Sequence, residues 1–436
     1  MQRAMEHVRA VVSRILFLGV SIQILLGLFW MLLAFDDRQE FVGSTYAGCL
    51  DRCLAGIPYE PAIYLLQLGI AFGAGYWLLE GLGARKLFWK IWGSLALVTY
   101  PYAMQCHMAI LPDSLAFSCF LFMLAAGLKR KRIMYLFWFL SALFLPEYLY
   151  FGVIPLAVFF WVSAKKKRNW RKTGAELLMI ISVAVMVLGF HKISSTEHVS
   201  LEEAWFRRTV WSSFYQFYPD WPEEVKAVIT EEEYVAIGRL PENMVLILQP
   251  KVKAVLGEKG ARQWYREFSA FVFWANREQI LKEMIKDVGG CLLPQIVAEI
   301  RLGGKGGSSY CLRNYEIMRK AHPFLTSCYL GYSVWWHVMG ILGTFMLAVG
   351  RLRRIPENEV KAGSAKWYLR CISTAGILSG VLMVGYYTIW AFNLWDPKKA
   401  LFVGLLWGLW MILETGLVIG FFPEGNGDNV LLFSIR

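Results

Sequence analysis

Apolar runs of bilayer-spanning length recur along the chain and alternate with short charged connectors. The first run, residues 15–35, has no small-residue cleavage site after it, which predicts a retained helix rather than a cleaved signal peptide. Further runs occupy residues 61–83, 91–105, 108–128, 133–147, 148–163, 174–191, 325–349, 367–391 and 398–421. Because about twenty apolar residues span a bilayer as a helix, the pattern predicts an all-α polytopic membrane protein with about ten transmembrane helices.

The basic residues predict the orientation of these helices. With about ten spans, the basic clusters all fall on one face of the membrane, and the positive-inside rule assigns that face to the cytoplasm. The clusters lie at residues 3–14, 85–90, 129–132, 165–168 and 351–354. The longer connectors then lie on the extracytoplasmic side of what we expect to be the plasma membrane.

The same pattern divides the chain into three predicted parts. Residues 1–191 form an N-terminal transmembrane bundle of about seven spans, with the first outer loop at 36–60, and residues 325–436 form a C-terminal segment of about three spans. Residues 192–324 are too polar to span a membrane, and too rich in Trp, Tyr and periodic apolar positions for a disordered linker. We expect a small, mostly helical extracytoplasmic domain there, with residues 263–285 among its helices.

Composition agrees with this class and argues against others. Hydrophobic residues make up 57% of the chain and charged residues only 18%, below the share of about a quarter that is usual in soluble domains. The net charge of +12 would suggest a nucleic-acid partner in a soluble protein, but here the basic residues lie between apolar runs. We therefore expect a lipid bilayer, and no nucleic acid, as a partner. Cys49 and Cys53 lack a second cysteine pair or paired histidines, so no zinc site is expected.

Two adjacent carboxylates, Asp36 and Asp37, follow the first predicted helix. A carboxylate facing lipid at this position would be costly, so both are expected to face water or a cavity. Either could then act as general base toward a sugar hydroxyl. The alternative is that the pair only marks the water boundary, and spacing alone favours that interpretation.

Asp113 lies within the fourth apolar run, directly after Pro112 and shortly after His107. An ionisable residue at membrane depth is a functional candidate. Pro-Asp-Ser is also good chemistry for starting a helix. The sequence favours neither the catalytic interpretation nor the helix-start interpretation.

Two further segments carry candidate substrate-binding residues. Glu147 and Tyr148 lie between two apolar runs, where a simple outer turn is slightly favoured. Arg207, Arg208 and Trp211 follow the seventh predicted span, and guanidinium groups bind phosphate oxygens in a bidentate manner. Anchoring in lipid headgroups is the alternative for these residues.

Taken in order, these features resemble the GT-C glycosyltransferases, multi-span membrane enzymes that use polyprenyl-phosphate sugars. The resemblance is carried by Asp36-Asp37 with Tyr46 after the first span, Pro112-Asp113 at the outer end of the fourth span, Pro146-Glu147-Tyr148 in an apolar hairpin, and an Arg- and Trp-rich segment after the seventh span. These motifs cover the chain up to about residue 222. The last three predicted spans support the resemblance only by their hydropathy.

The resemblance implies an inverting hexosyl- or pentosyltransferase at the extracytoplasmic face. It implies a polyprenyl-phosphate sugar as donor and a glycan, lipid or protein as acceptor. Asp36 or Asp37 would be the base, Asp113 would orient the acceptor or the base, and Arg207 and Arg208 would hold the leaving phosphate. Relatives often carry Arg where Leu145 precedes Pro146 here, so that phosphate contact must be absent or come from another residue.

The remaining candidate substrate-binding residues are Tyr46, His107, Glu147, Tyr148 and Trp211. The implied scheme needs no cofactor. The candidate carboxylates together allow a divalent metal without implying one. Two alternatives stay open from the sequence: a transporter or flippase of a lipid-linked glycan, and a glycan polymerase or ligase. The absence of an obvious internal repeat weighs mildly against a transporter built from duplicated halves.

Overall fold

All regular secondary structure in the described part of the chain is helical, which confirms the all-α prediction. The computed structural model describes residues 2–33, 60–100, 103–104, 107, 112–129, 131–145, 148–149, 152, 156, 170–194, 200–210, 219, 221–227, 229–233, 235, 241–292, 319–329, 331–332, 409 and 412.

The chain divides into two compact units. The first contains Met1–Ser194, Leu292–Val381 and Ala400–Arg436, and the second contains Ser195–Cys291 and Leu382–Lys399. The predicted limits at residues 191 and 324 stay a prediction. In chain order, the helices of the first unit are α1 Gln2–Leu33, α2 Glu60–Gly81, α3 Leu87–Thr99, α4 Pro112–Leu128, α5 Ile133–Phe144 and α6 Trp170–Ser194. Those that follow are α7 Leu201–Val210, α8 Glu223–Lys226, α9 Pro241–Ala275 and α10 Arg277–Leu292.

In the first unit, the helices pack side by side, but not always in chain order. Helix α4 packs against α2 and α5, and α3 packs against α2 and α1. Small residues permit the close approach of α2 and α3, as is common between membrane helices. A Cβ atom on Gly75 would lie 3.3 Å from Cα of Ser94, and one on Gly93 would lie 2.6 Å from Cδ1 of Leu79.

Two described stretches, Arg14–Leu32 and Ile63–Gly81, are long and apolar enough to cross a membrane. Only 39% of the first stretch and 44% of the second are buried inside the protein. Apolar side chains such as Leu18 and Phe29 are among the exposed residues of the first stretch. Shorter apolar helices occupy Leu87–Thr99, Asp113–Leu128, Ile133–Phe144 and Leu177–Gly189. These helices suggest membrane association, and the count of about ten spans stays a prediction.

Several predicted spans differ from the described helices in their limits. Helix α3 starts before the run 91–105 and ends at Thr99, and α5 ends at Phe144. The runs 148–163, 325–349, 367–391 and 398–421 fall largely outside the described residues.

The second unit is built on α9, against which α7 and α8 pack. An aromatic core that includes Phe206, Trp221, Trp264 and Phe268 holds them together. Gly257 divides α9 because its φ of 66° is left-handed, a conformation that glycine adopts without a Cβ clash. The predicted helical stretch 263–285 corresponds to the end of α9 and most of α10.

Candidate functional site

The start of α4 carries three buried polar residues, His107, Asp113 and Ser114, which we call the α4-start cluster. Their side chains are inaccessible to solvent. Asp113 occupies the first turn of α4, where the helix dipole favours a carboxylate. Nδ1 of His107 and Oγ of Ser114 share a hydrogen bond of 2.7 Å. This bond fastens the connector before α4 to the first turn of the helix.

Burial sets the charge state of His107, which lies in the connector between α3 and α4. Removal from water disfavours the imidazolium and lowers the pKa of His107 to about 3. The ring is therefore neutral at physiological pH, with one nitrogen as donor and the other as acceptor. Its Nε2 atom has no hydrogen-bond partner in the described part of the chain. A neutral imidazole with a spare nitrogen can bind a hydroxyl group.

Tyr148 lies against the same helix. Its ring centroid is 5.1 Å from that of Phe120 in α4, and its carbonyl accepts a hydrogen bond of 3.1 Å from Nε1 of Trp138 in α5. Gly152 also contacts this indole, since a Cβ there would lie 2.2 Å from Nε1. Tyr148 and Gly152 thus pack on Trp138 in α5, and Tyr148 also contacts Phe120 in α4.

The register of α1 on α3 brings the end of α1 to the side of the bundle where α4 starts. Phe17 stacks on Trp92 with centroids 5.3 Å apart, and Gln23 donates a 3.0 Å hydrogen bond to the carbonyl of Ala96. A Cβ on Gly27 would lie 2.7 Å from Cβ of Thr99. The two helices therefore run parallel, and both end at the side where the chain leads into His107 and α4.

Basic side chains gather at the opposite side of the bundle. Lys90 at the start of α3 lies 3.7 Å from Glu80 at the end of α2, and Lys129 at the end of α4 also pairs with Glu80. Lys129 and Lys131 lie over the ring of Trp77 at 5.3 and 5.7 Å. Two predicted cytoplasmic clusters, 85–90 and 129–132, thus come together at the end away from Asp113.

Arg207 belongs to the second unit, where it already has protein partners. Its guanidinium donates hydrogen bonds of 2.9 Å to Glu203 and 2.9 Å to the side-chain oxygen of Gln249. Lys253 lies 3.1 Å from the other oxygen of Glu203, whose side chain is only 5% exposed. We call these four residues the Glu203 network. A phosphate at Arg207 would have to share the guanidinium with this carboxylate.

Part of the α4-start cluster and part of the Glu203 network could not be predicted from the sequence. The i,i+4 spacing of Glu203 and Arg207 could have indicated their pairing. Gln249 and Lys253 come from α9, more than forty residues later, and no local signal pairs them with Arg207. His107 and Ser114 lie seven residues apart, and no local signal pairs them.

The remaining predicted site residues lie outside the described residues: Asp36, Asp37, Tyr46, Glu147, Trp211 and the side chain of Arg208. Among the side chains that are described, no group of three or more His, Cys, Asp or Glu could hold a metal ion. No family model matches the chain, and neither a curated protein nor a solved structure matches it.

Proposed function

We propose that this chain is a multi-span membrane glycosyltransferase of the GT-C type, which transfers a sugar from a polyprenyl-phosphate donor to an acceptor at the extracytoplasmic face. The observation that carries the proposal is the α4-start cluster. A carboxyl group and a neutral histidine, both fully buried, are costly in an apolar bundle, and such groups in membrane proteins mark functional sites.

The sidedness of the bundle supports the extracytoplasmic location. Trp77, Lys129 and Lys131 form an aromatic and basic boundary at one end, as expected for the cytoplasmic headgroup region. Asp113 lies at the other end, where α1 also ends at Leu33. Asp36 and Asp37 follow within four residues of Leu33 in the sequence, and we therefore assign the candidate bases to that end.

The chemistry is a single displacement. Asp36 or Asp37 takes the proton of the acceptor hydroxyl, and the hydroxyl oxygen attacks the anomeric carbon of the sugar. The bond between that carbon and the phosphate oxygen breaks, and polyprenyl phosphate leaves with the electron pair. Inversion follows because attack and departure occur on opposite faces. Asp113 and His107 orient the acceptor by hydrogen bonds.

Binding of the phosphate is assigned to the segment after α6. Arg207 and Arg208 would stabilise the negative charge that develops on the leaving oxygen, and Trp211, Tyr46, Glu147 and Tyr148 would contact the donor or the acceptor. Since Glu203 partly neutralises Arg207, we expect Arg208 to supply the larger share of that stabilisation.

The test uses the purified full chain in lipid nanodiscs with a panel of radiolabelled polyprenyl-phosphate sugars. We expect transfer to an added glycan or lipid acceptor, and a loss of about 10²–10⁴-fold in rate for either Asp36→Asn or Asp37→Asn, the usual contribution of a general base. Glu80→Gln, at the basic end of the bundle, is the matched control and should retain transfer. Full activity in both Asp variants would refute the base assignment. Movement of a lipid-linked glycan across the bilayer without a new glycosidic bond would favour a transporter instead.

A further inference from the structure

Three half-buried aromatic side chains meet where α2, α4 and α5 come together: Trp77, Phe122 and Phe137. The ring centroid of Trp77 lies 5.8 Å from that of Phe122 and 6.3 Å from that of Phe137. Phe122 and Phe137 stack on each other with centroids 5.1 Å apart. The ammonium groups of Lys129 and Lys131 lie over the Trp77 ring at 5.3 and 5.7 Å. We call these five residues the Trp77 patch.

The surroundings of the patch carry more positive than negative charge. Glu80 pairs with Lys129 and lies 3.7 Å from Nζ of Lys90. No ion pair joins the exposed Lys131 to a carboxylate in the described part of the chain. After the first residue of α2, Glu80 and Asp113 are the only acidic residues up to the end of α5, and Asp113 lies at the other end of α4. Three ammonium groups therefore share one carboxylate.

The Trp77 patch lies at the end of a stretch that is long and apolar enough to cross a membrane. This stretch is Ile63–Gly81, so Trp77 lies one turn before its end. Trp at such a depth favours the boundary between headgroups and acyl chains. Next to the patch, α5 exposes Ile133 and Leu136 to 44% and 52%. A molecule bound here would contact ammonium groups on one side and apolar side chains on the other.

We propose that the Trp77 patch is a binding site for an anionic glycerophospholipid of the phosphatidylglycerol class. The lipid phosphate binds the ammonium groups of Lys129 and Lys131, and an acyl chain starts on the three aromatic rings. Basic pockets between membrane helices bind anionic headgroups in this way. The proposal rests on the membrane placement in the proposed function and is independent of the transfer reaction.

Charge makes the site selective among phospholipids. An anionic headgroup supplies the negative charge that Glu80 alone does not provide. A zwitterionic phosphatidylcholine brings its own cation close to the lysines, and the face of Trp77 that could hold this cation already lies under Lys129 and Lys131. The site should therefore prefer phosphatidylglycerol over phosphatidylcholine.

A soluble anion uses only some of these features. Inorganic phosphate would pair with Lys129 and Lys131 but would not cover the aromatic rings. A phospholipid does both, because its phosphate and its acyl chains are joined at the depth that Trp77 favours. The amphiphile is therefore the better fit to the patch.

Photocrosslinking of the full chain in nanodiscs tests the site. The discs contain phosphatidylcholine and a small share of either phosphatidylglycerol or phosphatidylcholine with a diazirine on its acyl chain, and mass spectrometry locates the adducts. We expect a severalfold higher yield from phosphatidylglycerol on the segments that hold Trp77, Phe122 or Phe137. On α6, where Leu178 and Val185 are exposed, the two lipids should react equally. Excess inorganic phosphate at constant ionic strength should leave both yields unchanged.

Three variants separate a defined site from a uniformly basic surface. Lys131→Gln removes one exposed ammonium group and should lower the phosphatidylglycerol yield at the patch about fivefold, the effect of one basic residue near an anionic lipid. Lys131→Arg keeps the charge and should retain the parent yield. Lys86→Gln, the matched control, removes an exposed charge at the same end of the bundle but outside the patch. It should retain more than half of the parent yield.

Equal yields from the two lipids, displacement by inorganic phosphate, or equal losses in Lys131→Gln and Lys86→Gln would overturn the lipid site. The same nanodiscs are assayed for glycosyl transfer. Selective phosphatidylglycerol adducts without transfer would remove the proposed reaction and leave the lipid site standing. Transfer without selective adducts would do the reverse.

Discussion

The α4-start cluster and the Glu203 network are both buried polar groups, but their partners differ. In the second unit, Glu203 accepts from Arg207 and Lys253, so opposite charges meet and the carboxylate is paired. In the first unit, His107 is neutral and bonds to the hydroxyl of Ser114, while its Nε2 has no partner in the described part of the chain. The charge pairs stabilise the fold of the second unit, whereas the α4-start cluster buries a carboxyl group and a neutral histidine at the start of an apolar helix, and such groups in membrane proteins are functional candidates.

The largest stability effect is expected for Glu203→Gln. Removal of this charge leaves Arg207 without its carboxylate partner and leaves Lys253 with only Glu258, at 3.8 Å, at a cost of about 3 kcal/mol, the low end for partly buried pairs. Hydrogen exchange should show lost protection in α7 and α9. Glu233→Gln removes a more exposed pair with Lys251 and should leave exchange unchanged. Equal protection in both variants would contradict a structural role for the network.

A smaller loss of stability is expected for Gly152→Ala, which tests the packing of Tyr148 and Gly152 on Trp138. The added methyl group would meet Nε1 of Trp138 and displace the indole from the carbonyl of Tyr148. Overpacking of this kind costs about 1–3 kcal/mol and should lower both the unfolding temperature and the transfer rate. Gly73→Ala, where nothing lies within 4 Å, is the control. A Gly152→Ala protein as stable as this control would contradict the packing of Tyr148.

Loss of the hydroxyl in Ser114→Ala should cost about 1–2 kcal/mol, because Nδ1 of His107 then stays buried without this partner. Thermal unfolding in nanodiscs measures the change. Ser327→Ala removes an exposed hydroxyl bonded to the carbonyl of Pro323 and should unfold like the parent protein. An unchanged unfolding temperature for Ser114→Ala would show that the His107 bond contributes nothing.

A pH dependence of the stability is expected from His107. Its pKa falls from 6.5 to about 3 on folding, so the unfolded chain binds more protons between these values. Stability therefore rises with pH through this window and is lost on acidification. In His107→Gln this slope should be shallower, so the stability difference between parent and variant narrows as pH falls. His322→Gln, at an exposed position, is the control. A slope that persists in His107→Gln would refute the buried neutral ring.

The sequence predicted the helical class and the two ends of the bundle because hydropathy and basic clusters are local signals. Lys90 and Lys129 were assigned to the same side, and both pair with Glu80. It also singled out His107 and Asp113, but not Ser114 as the partner of His107. The contact of Arg207 with Gln249 could not be predicted from the sequence, because it forms only through the packing of α7 on α9. Hydropathy indicates which face of one helix is buried, but it says little about which side chains of two different helices contact each other.

The transfer rate of Asp113→Asn, relative to that of Glu80→Gln, tests the central claim most directly. The amide keeps the size of the carboxyl group and removes its charge, so the helix start should remain folded by hydrogen exchange. We predict that Asp113→Asn inserts normally and loses transfer by about 100-fold, as expected when the acceptor is misplaced, while Glu80→Gln keeps the parent rate. Equal rates for the two folded variants would contradict the assignment of the α4-start cluster as the functional site.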